Sequence, residues 1–518
     1  MHKSYALYGY STTQNGGQMK MLQFRHRFQS VLLFAALCVS VSLHAAELDI
    51  RSFGAKGDGV SDDTIAIVKA FDALQQEEGG VLSFGNGKYA FSGLLKIKGL
   101  KNTTIDFSGA TLINCEQKGS FHFDHCDNLT IHGGILTYRE MPSHQQTNDQ
   151  HPIYITAGNN IRVDNVHILG SPFMGIAING CRHVWAVNCR IERTMRDGLH
   201  FVFCSDIVCT GNQISHTTDD ALALIDYGHE EVVRLERAVV SNNIIYNCRQ
   251  GLVCVGGHDI VFSNNHVQRT TFSGCQITTN DRFNAHGRGV CNASRIKVLG
   301  NRFIESGADF EINGELIRNS GQITTGRAGI VVSYIDNAKG WNRNGDEYFS
   351  RREDSVSVVS EGCFRTSANL IEDLFPGRKI QMTGADGQSA VVTVSSSIRK
   401  DDECEFTVVN ATEVPSSPKF LKLSRIITDI DISDNEIIDS HVNGIYTNGV
   451  YRLRILNNKI QNCNRSDSQF TGSIVEILNG AKVDFLNNWI IDSRTEKLHR
   501  KPLTITAAEC RNIGTRID

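Results

Sequence analysis

Proline is scarce in this chain, 7 residues in 518 against 46 glycines, so turns are abundant while polyproline and collagen-like structures are excluded. Positive charge is not in excess either. Lys and Arg total 52, Asp and Glu 56, and the formal net charge of −4 excludes a nucleic-acid reader that works by bulk positive charge. Fifteen cysteines contain no Cys-x-x-Cys pair, and a Walker loop, a Gly-x-Ser-x-Gly elbow and a dinucleotide fingerprint are also missing. The apolar run Val31 to Leu43 is 13 residues, too short to span a bilayer. What the chain does have is core material: 40% hydrophobic residues, with 25 Phe and 12 Tyr, against 21% charged, which is a globular composition. The length admits either three ordinary domains or one large repeat domain with an insertion.

Residues 1 to 46 read as a secretory signal rather than as fold. Lys20, Arg25 and Arg27 precede the run Val31 to Leu43, and His44-Ala45-Ala46 supplies the small residues of a cleavage site. Met1 to Gln18 is a long polar prefix, and Met19 or Met21 is an alternative start. Leu37 before Cys38 is not the small residue a lipidation signal wants, so no lipoprotein is expected. Cleavage would remove four basic residues and no acidic one, leaving 48 against 56, a net charge of −8. The expected location is therefore secreted or periplasmic, with no membrane span. The 14 cysteines that remain permit disulfides but are too sparse for a disulfide scaffold, and lone cysteines commonly serve as small core residues.

A repeat organises the rest. The frame Asn-x-apolar recurs at Asn212, Asn242, Asn265, Asn301, Asn435, Asn458 and Asn488, with intervals of 23 or 30 residues among them and Cys189 filling an earlier slot. Short β-branched runs such as Ile207-Val208-Cys209 and Ile260-Val261-Phe262 precede the slot. A period of 20 to 30 residues made of strands and turns points to a β solenoid, in which each coil buries its apolar face only against its neighbours. An Asn in one recurring slot can hydrogen-bond its counterpart a coil away, forming an asparagine ladder.

Near the N-terminus, the stretch from Ile50 through Gly54-Ala55-Lys56-Gly57-Asp58-Gly59 to Ser61-Asp62-Asp63-Thr64 leads into a helical pattern carrying Ile67, Phe71 and Leu74 on one face. This opening resembles that of the pectate-lyase-like superfamily of right-handed parallel β-helices, which includes polygalacturonases, pectate lyases, uronan epimerases and phage tailspikes. The fold expected is all-β: a single-stranded right-handed parallel β-helix over 47–340 and 426–518, with a capping helix near residues 64–75. Asp58, Asp62 and Asp63 take a structural reading. Between 341 and 425 the Asn frame stops and alternating strands replace it, so a small β insertion is expected there; it could wall a groove, bind carbohydrate or decorate the surface.

Registering the coils on the Asn frame brings one column through Met174, Asp197, Asp220, Gln250 and Ser273, a neighbouring one through Phe173, Arg196, Asp219, Arg249 and Phe272, and a third through Ala177, His200, Ala223, Val253 and Gln276. Successive coils lie ~4.8 Å apart, so Asp197, Asp219 and Asp220 converge, with His200, Arg196, Arg249 and Gln250 around them. Three carboxylates so close repel, which raises the pKa of at least one and supplies both a protonated acid and an ionised base for glycosidic cleavage. The alternative is that these aspartates cap turns.

Asp197-Gly198 followed one coil later by Asp219-Asp220 is similar to the polygalacturonase pattern, whose acid and base act by inversion. This chain has Arg249-Gln250-Gly251 where that family has Gly-His-Gly, and Arg295-Ile296-Lys297 has the letters of the uronate subsite but opens a coil strand. Asp197-Gly198-Leu199-His200-Phe201 with Asp219-Asp220-Ala221 equally resembles the β-helical exo-α-galactosidases, although the insertion comes later here. Catalysis is therefore assigned to Asp197, Asp219 and Asp220, and substrate binding to His200, Arg196, Arg249, Gln250, Gln276, Asp281 and Arg282, with no metal and no cofactor.

Secondary candidates are Asp226, His229 and Glu230 in a lengthened coil, His286 and Arg288 beside Asp281, the pair Glu311 and Glu315, and His122, Asp124 and His125 on an early strand. Three functional classes follow: a hydrolase acting on a poly- or oligosaccharide; a polysaccharide lyase or uronan epimerase, using Arg196 or Arg249 as base and Ca²⁺ to neutralise a uronate; and a non-catalytic carbohydrate-binding solenoid.

Overall fold

The computed structural model describes residues 46–77, 79–143, 150–227, 234–279, 292–312, 315–317, 327–336, 340–341, 353–371, 373–374, 376–424, 426–465, 472–494 and 501–518, so the signal segment expected from the sequence lies outside it except for Ala46. Residues 46–518 form one compact unit, a parallel β-helix. One coil consists of Leu199–Val202, Ser205–Thr210 and Gln213–Thr217, and the next of Asp220–Ile225, Glu236–Ser241 and Ile244–Cys248. Each strand pairs in parallel with its counterpart one coil on, giving three faces; the first of them is called the groove face below.

Alternation sets the core. Ile178, Phe201, Leu224, Cys254, Ile277 and Val332 are register partners on consecutive coils of the groove face, and all are buried, so the interior is a stack of apolar layers. Thirteen described cysteines are free thiols, ten of them buried, which makes them small core residues rather than cross-links.

The asparagine ladder runs through Asn212, Asn243, Asn265, Asn301, Asn435, Asn458 and Asn488. Each Oδ1 accepts the backbone N–H of the ladder residue one coil earlier, as Asn265 does from Asn243 at 3.0 Å, and Cys189 N–H donates to Asn212 in the same way. Asn301 passes directly to Asn435 across the insertion. One slot differs from the sequence frame: Asn243, not Asn242, is the ladder member. The residue before each ladder position is left-handed, filled by Asn188, Gly211, Asn242, Asn264, Gly300, Asp434, Asn457 and Asn487. Asn and Gly tolerate that conformation, so two adjacent asparagines fit two different slots and the pattern slips by one residue.

The capping helix, Thr64–Gln76, buries Ala66, Ile67, Ala70, Phe71 and Leu74, and Phe71 meets Phe121 and Phe123 edge-on. The three aspartates before it hold turns: Asp58 accepts from the Val60 and Ser61 N–H groups, Asp62 from Thr64 N–H, and Asp63 from Lys56 N–H.

A seven-stranded antiparallel sheet built between Asp354 and Leu423 interrupts the helix between the groove-face strand Ile330–Val332 and the second-face strand Ile427–Ser433. It has its own core around Ile380, Met382, Val394, Phe406 and Leu421. It is tied to the coils through Asn292, which donates to Asp373 at 3.0 Å and accepts from Arg378.

Candidate active site

The candidate residues gather at the turn from the third face onto the groove face. Register pairing places His200 beside Ala177 and Ala223, and Asp220 beside Gln250, so the predicted columns are in spatial register. Asp197 and Asp220 occupy one slot on adjacent coils and Asp219 precedes Asp220; one oxygen from each of the three lies within 4.8 Å of the others. Glycine at 198 has a packing reason, because a Cβ there would lie 2.6 Å from the Ala221 carbonyl of the next coil.

Hydrogen bonds differentiate the three carboxylates. Asp197 Oδ1 accepts the Asp220 N–H at 3.2 Å, and its Oδ2 lies 2.5 Å from His200 Nδ1. Asp220 Oδ1 accepts from Gln250 Nε2 at 2.5 Å. Asp219 is held by two guanidiniums, Arg196 Nε at 2.9 Å and an Arg249 nitrogen at 3.6 Å. Arg196 also sits over the Phe173 ring, 5.6 Å from its centre.

Burial, more than mutual repulsion, sets the protonation. Asp197 is 3% exposed; its burial and then the Asp219 charge push its carboxyl well above the usual range. Burial raises Asp220 in the same way, followed by the charges of Asp197 and Asp219. Burial and then Arg196 hold the His200 imidazole down to about 3, so the contact with Asp197 is a hydrogen bond to a neutral ring rather than an ion pair. Burial works to lower the Arg196 pKa, but the charges of Asp219, Asp197 and Asp220 outweigh it and keep the group cationic.

Arg196, His200, Arg249 and Gln250 thus surround the three aspartates, while other sequence candidates lie elsewhere. Gln276 is on the same outward column as His200 but two coils beyond Asp219 and Asp220, roughly 10 Å along the axis, which separates it from the carboxylates. Asp226 is fully buried, and its Oδ2 binds Arg234 at 2.8 Å and the Leu235 N–H, so it anchors the chain rather than bordering a groove. Asp281, Arg282, His286, Arg288, His229 and Glu230 lie outside the described residues. Glu311 and Glu315 fall on a short antiparallel hairpin, Phe310–Ile312 with Glu315–Ile317. Arg295 pairs with Asp259 at 2.6 Å on the second face, remote from the acids.

Asp124 binds Thr156 Oγ1 at 2.8 Å and His125 at 2.7 Å, while His122 stacks on Tyr154, so this cluster is tied together by cross-strand contacts. Sequence reasoning missed the rings beside the site. His151 packs 4.9 Å from Tyr154 and 5.3 Å from Phe173, and its burial and then His200 lower its pKa to about 3. His151 precedes Met174 in the aspartate column, and reading that column two coils upstream would have found it.

Residues 96–288 match the family model described as a right-handed β-helix region. Over 39% of its length the chain is 24% identical to a polygalacturonase of Prunus persica, and the matched stretch spans 57% of that protein. The catalytic unit of a thermostable GH87 α-1,3-glucanase from Streptomyces thermodiastaticus superposes with a TM-score of 0.54 at 15% identity, over 91% of this chain and 69% of that one. A family 28 exopolygalacturonase of Yersinia enterocolitica gives 0.52 at 12% identity, over 90% and 78%. The fold is the right-handed parallel β-helix of these proteins.

Proposed function

We propose that this chain is an exported glycoside hydrolase that cleaves a poly- or oligosaccharide with the Asp197, Asp219 and Asp220 triad. The observation that carries the reading is the convergence of three carboxylates within 4.8 Å, two of them biased toward the protonated form and the third compensated by two arginines. Of the two raised carboxyls Asp197 has the better donors for an ionised form, the Asp220 N–H and the neutral His200 ring, and it takes the role of base toward water. Asp220 has the poorer set of donors and acts as acid toward the leaving oxygen. Asp219 positions the water, and Arg196, Arg249, His200 and Gln250 orient the sugar.

Inversion is implied by the likeness of Asp197-Gly198 and Asp219-Asp220 to the polygalacturonase pattern. The nearest oxygens, within 4.8 Å, are closer than the roughly 6.5 to 9.5 Å expected between inverting carboxyls, so the anomer formed first has to be measured. The similarity to a Prunus persica polygalacturonase supports a carbohydrate substrate.

A lyase or epimerase reading would put Ca²⁺ among the three acids and make Arg196 or Arg249 the base. The hydrolase reading is preferred because both arginines are engaged with Asp219, Arg196 at 2.9 Å and Arg249 at 3.6 Å. Three aspartate charges outweigh burial and keep Arg196 cationic, which does not suit it as a base. Incubation with a panel of neutral and acidic polysaccharides tests the assignment. New reducing ends without absorbance near 235 nm are expected, and an unsaturated uronate product would overturn it.

A further inference from the structure

The turns that bear the acids are held from inside the solenoid. Ser171, Thr194 and Thr217 are register partners at the end of the third face, where each strand turns toward the groove face. Cys248, Thr270 and Ser306 occupy the same slot on the coils that follow. All six are fully buried. A left-handed residue precedes each of them, Gly170, Arg193, His216, Asn247, Arg269 and Glu305, so the chain bends at the same point in every one of these coils. The hydroxyls in the slot are used differently along the axis. Thr194 Oγ1 donates to the Arg196 carbonyl at 2.7 Å and Thr217 Oγ1 to the Asp219 carbonyl at 2.9 Å, while Ser171 Oγ donates to the Met174 carbonyl at 2.7 Å. Cys248 has no hydroxyl, and those of Thr270 and Ser306 have no hydrogen-bond partner. The bond from slot to turn is thus made where the turn carries Arg196, Asp197 and Asp219, and it is missing from the coils downstream.

Thr217 touches both acid-bearing turns. Its hydroxyl holds the carbonyl of the Asp219–Asp220 peptide in its own coil. That peptide is planar and trans, so a fixed carbonyl fixes the N–H on the opposite side, and this N–H donates to Asp197 Oδ1 at 3.2 Å. The Thr217 methyl meets the turn one coil earlier, since a Cβ built on Gly198 would lie 3.4 Å from Thr217 Cγ2. The Asp219 carbonyl also accepts the Gln250 N–H at 3.3 Å. A carbonyl that accepts two bonds polarises its peptide and strengthens the N–H on the other side, here the one aimed at Asp197.

Resting on the hydrolase reading above, we propose that Thr217 is a positioning residue for the catalytic pair: from inside the core, through the Asp219–Asp220 peptide, it aims the N–H that Asp197 needs to work as a base. Thr217 touches neither substrate nor water, so its effect passes through Asp197 alone. The groups that face Asp197 are Asp219, Arg196, Arg249, Asp220 and the neutral His200 ring. Burial and the Asp219 charge raise the Asp197 carboxyl, and Arg196, the Asp220 N–H and Arg249 pull it down. Loosening that N–H leaves the raising influences less opposed, and the base then ionises at a higher pH.

Thr217→Val removes the hydroxyl and keeps a methyl against Gly198, while the Asp219 carbonyl retains the Gln250 N–H, so the coil should still close. On whichever panel polysaccharide is hydrolysed, kcat should fall roughly tenfold, the worth of one hydrogen bond, with KM within about twofold of the parent. The acid limb of kcat/KM against pH should move to higher pH. Thr217→Ser keeps the hydroxyl and should hold kcat within about twofold with the limb unmoved. Thr270→Val alters the same slot two coils on, where the hydroxyl makes no bond, and should change neither. An unmoved limb in Thr217→Val, a Thr217→Ser variant as impaired as Thr217→Val, or equal losses in Thr217→Val and Thr270→Val would overturn the proposal and make Thr217 an ordinary core residue. Carbon-13 NMR titration of the aspartate carboxyls, with Asp197→Asn identifying the signal, reads the same change without substrate: the Asp197 midpoint should be higher in Thr217→Val than in the parent. That rise with no polymer cleaved would overturn the hydrolase reading and leave the positioning contact standing. An unchanged midpoint in a protein that does cleave polymer would overturn the positioning role and leave the hydrolase.

Discussion

Asp197 Oδ2 and His200 Nδ1 lie 2.5 Å apart, and burial drives both groups toward their neutral forms. Opposite charges three residues apart, one in the turn and one on the strand that follows it, would ordinarily make an ion pair. Here the interior of the turn is too poorly solvated to keep two charges, so the pair shares one proton while Arg196 and Arg249 compensate Asp219 alongside. Burial raises the Asp220 carboxyl too, and it is this group that keeps a proton available in a neutral solution, which is what protonation of a leaving oxygen needs.

If Asp197 and Asp220 are the working pair, Asp197→Asn and Asp220→Asn should each lower kcat by several orders of magnitude. Their stabilities should move the other way. A raised carboxyl pKa means the folded state binds the proton more tightly than the unfolded chain, so ionisation costs stability as pH rises above the ordinary value of 3.8. Removing the acid removes that cost, and the Tm of each variant at pH 7 should equal or exceed that of the parent. Loss of stability with activity retained would instead make the aspartates turn caps. A substrate with an activated leaving group should partly rescue Asp220→Asn and not Asp197→Asn, which separates acid from base.

The two buried histidines predict an acid limb. His151 and His200 have folded pKa values of about 3 against 6.5 in the unfolded chain. As pH falls below 6.5 the unfolded state takes up protons first, so stability drops until pH approaches 3. Between pH 6.5 and 4 each histidine accounts for up to roughly 3 kcal/mol. His200→Gln should flatten its share of the fall in a Tm series from pH 7 to 4, and an unchanged slope would mean the imidazole is charged in the folded protein.

Thiol chemistry checks the cysteine assignment. Among the described residues Cys115 is exposed, Cys363 and Cys510 are intermediate and the other ten are buried. Burial raises the buried thiols at Cys126, Cys248 and Cys463 to about 11, where little thiolate exists at neutral pH. An Ellman titration of the native protein should therefore proceed fast at Cys115 and slowly or not at all at those three, while at least thirteen thiols should react after denaturation. A markedly lower count in denaturant would reveal disulfides.

The sequence made the solenoid legible because a repeat writes its own register. Six of the seven ladder asparagines, the cap before Thr64 and the column that joins Asp197 to Asp220 could all be read from spacing. Asn242 could not be told from Asn243, since a left-handed turn slot and a ladder slot accept the same residue. Gln276 was placed in the right column, but its distance from the acids depends on counting coils, and Asp226 looked like a groove residue because spacing does not reveal burial. The burial of the outward residues Ala223, Val253 and Val331 was invisible for a similar reason, since they are residues a strand core would carry and only the register sets them in the outward column.

The ladder offers the sharpest test of what holds the coils in register. Asn265 Oδ1 accepts the Asn243 backbone N–H at 3.0 Å and its side-chain amide at 2.8 Å, while Asn265 Nδ2 donates to the Val240 carbonyl at 3.0 Å and to Asn301 at 2.9 Å. Asn265→Ala would strand a buried N–H and a buried carbonyl at once, each costing ~1–3 kcal/mol, so a loss of roughly 3–5 kcal/mol is expected. The exposed neighbour Asn264 occupies the left-handed slot, and Asn264→Gly should leave the denaturation midpoint within about 0.5 kcal/mol of the parent. Asn242→Gly should be equally mild, whereas Asn243→Ala should match Asn265→Ala. Equal effects at 242 and 243 in urea unfolding would mean that the ladder contributes no more than an ordinary turn.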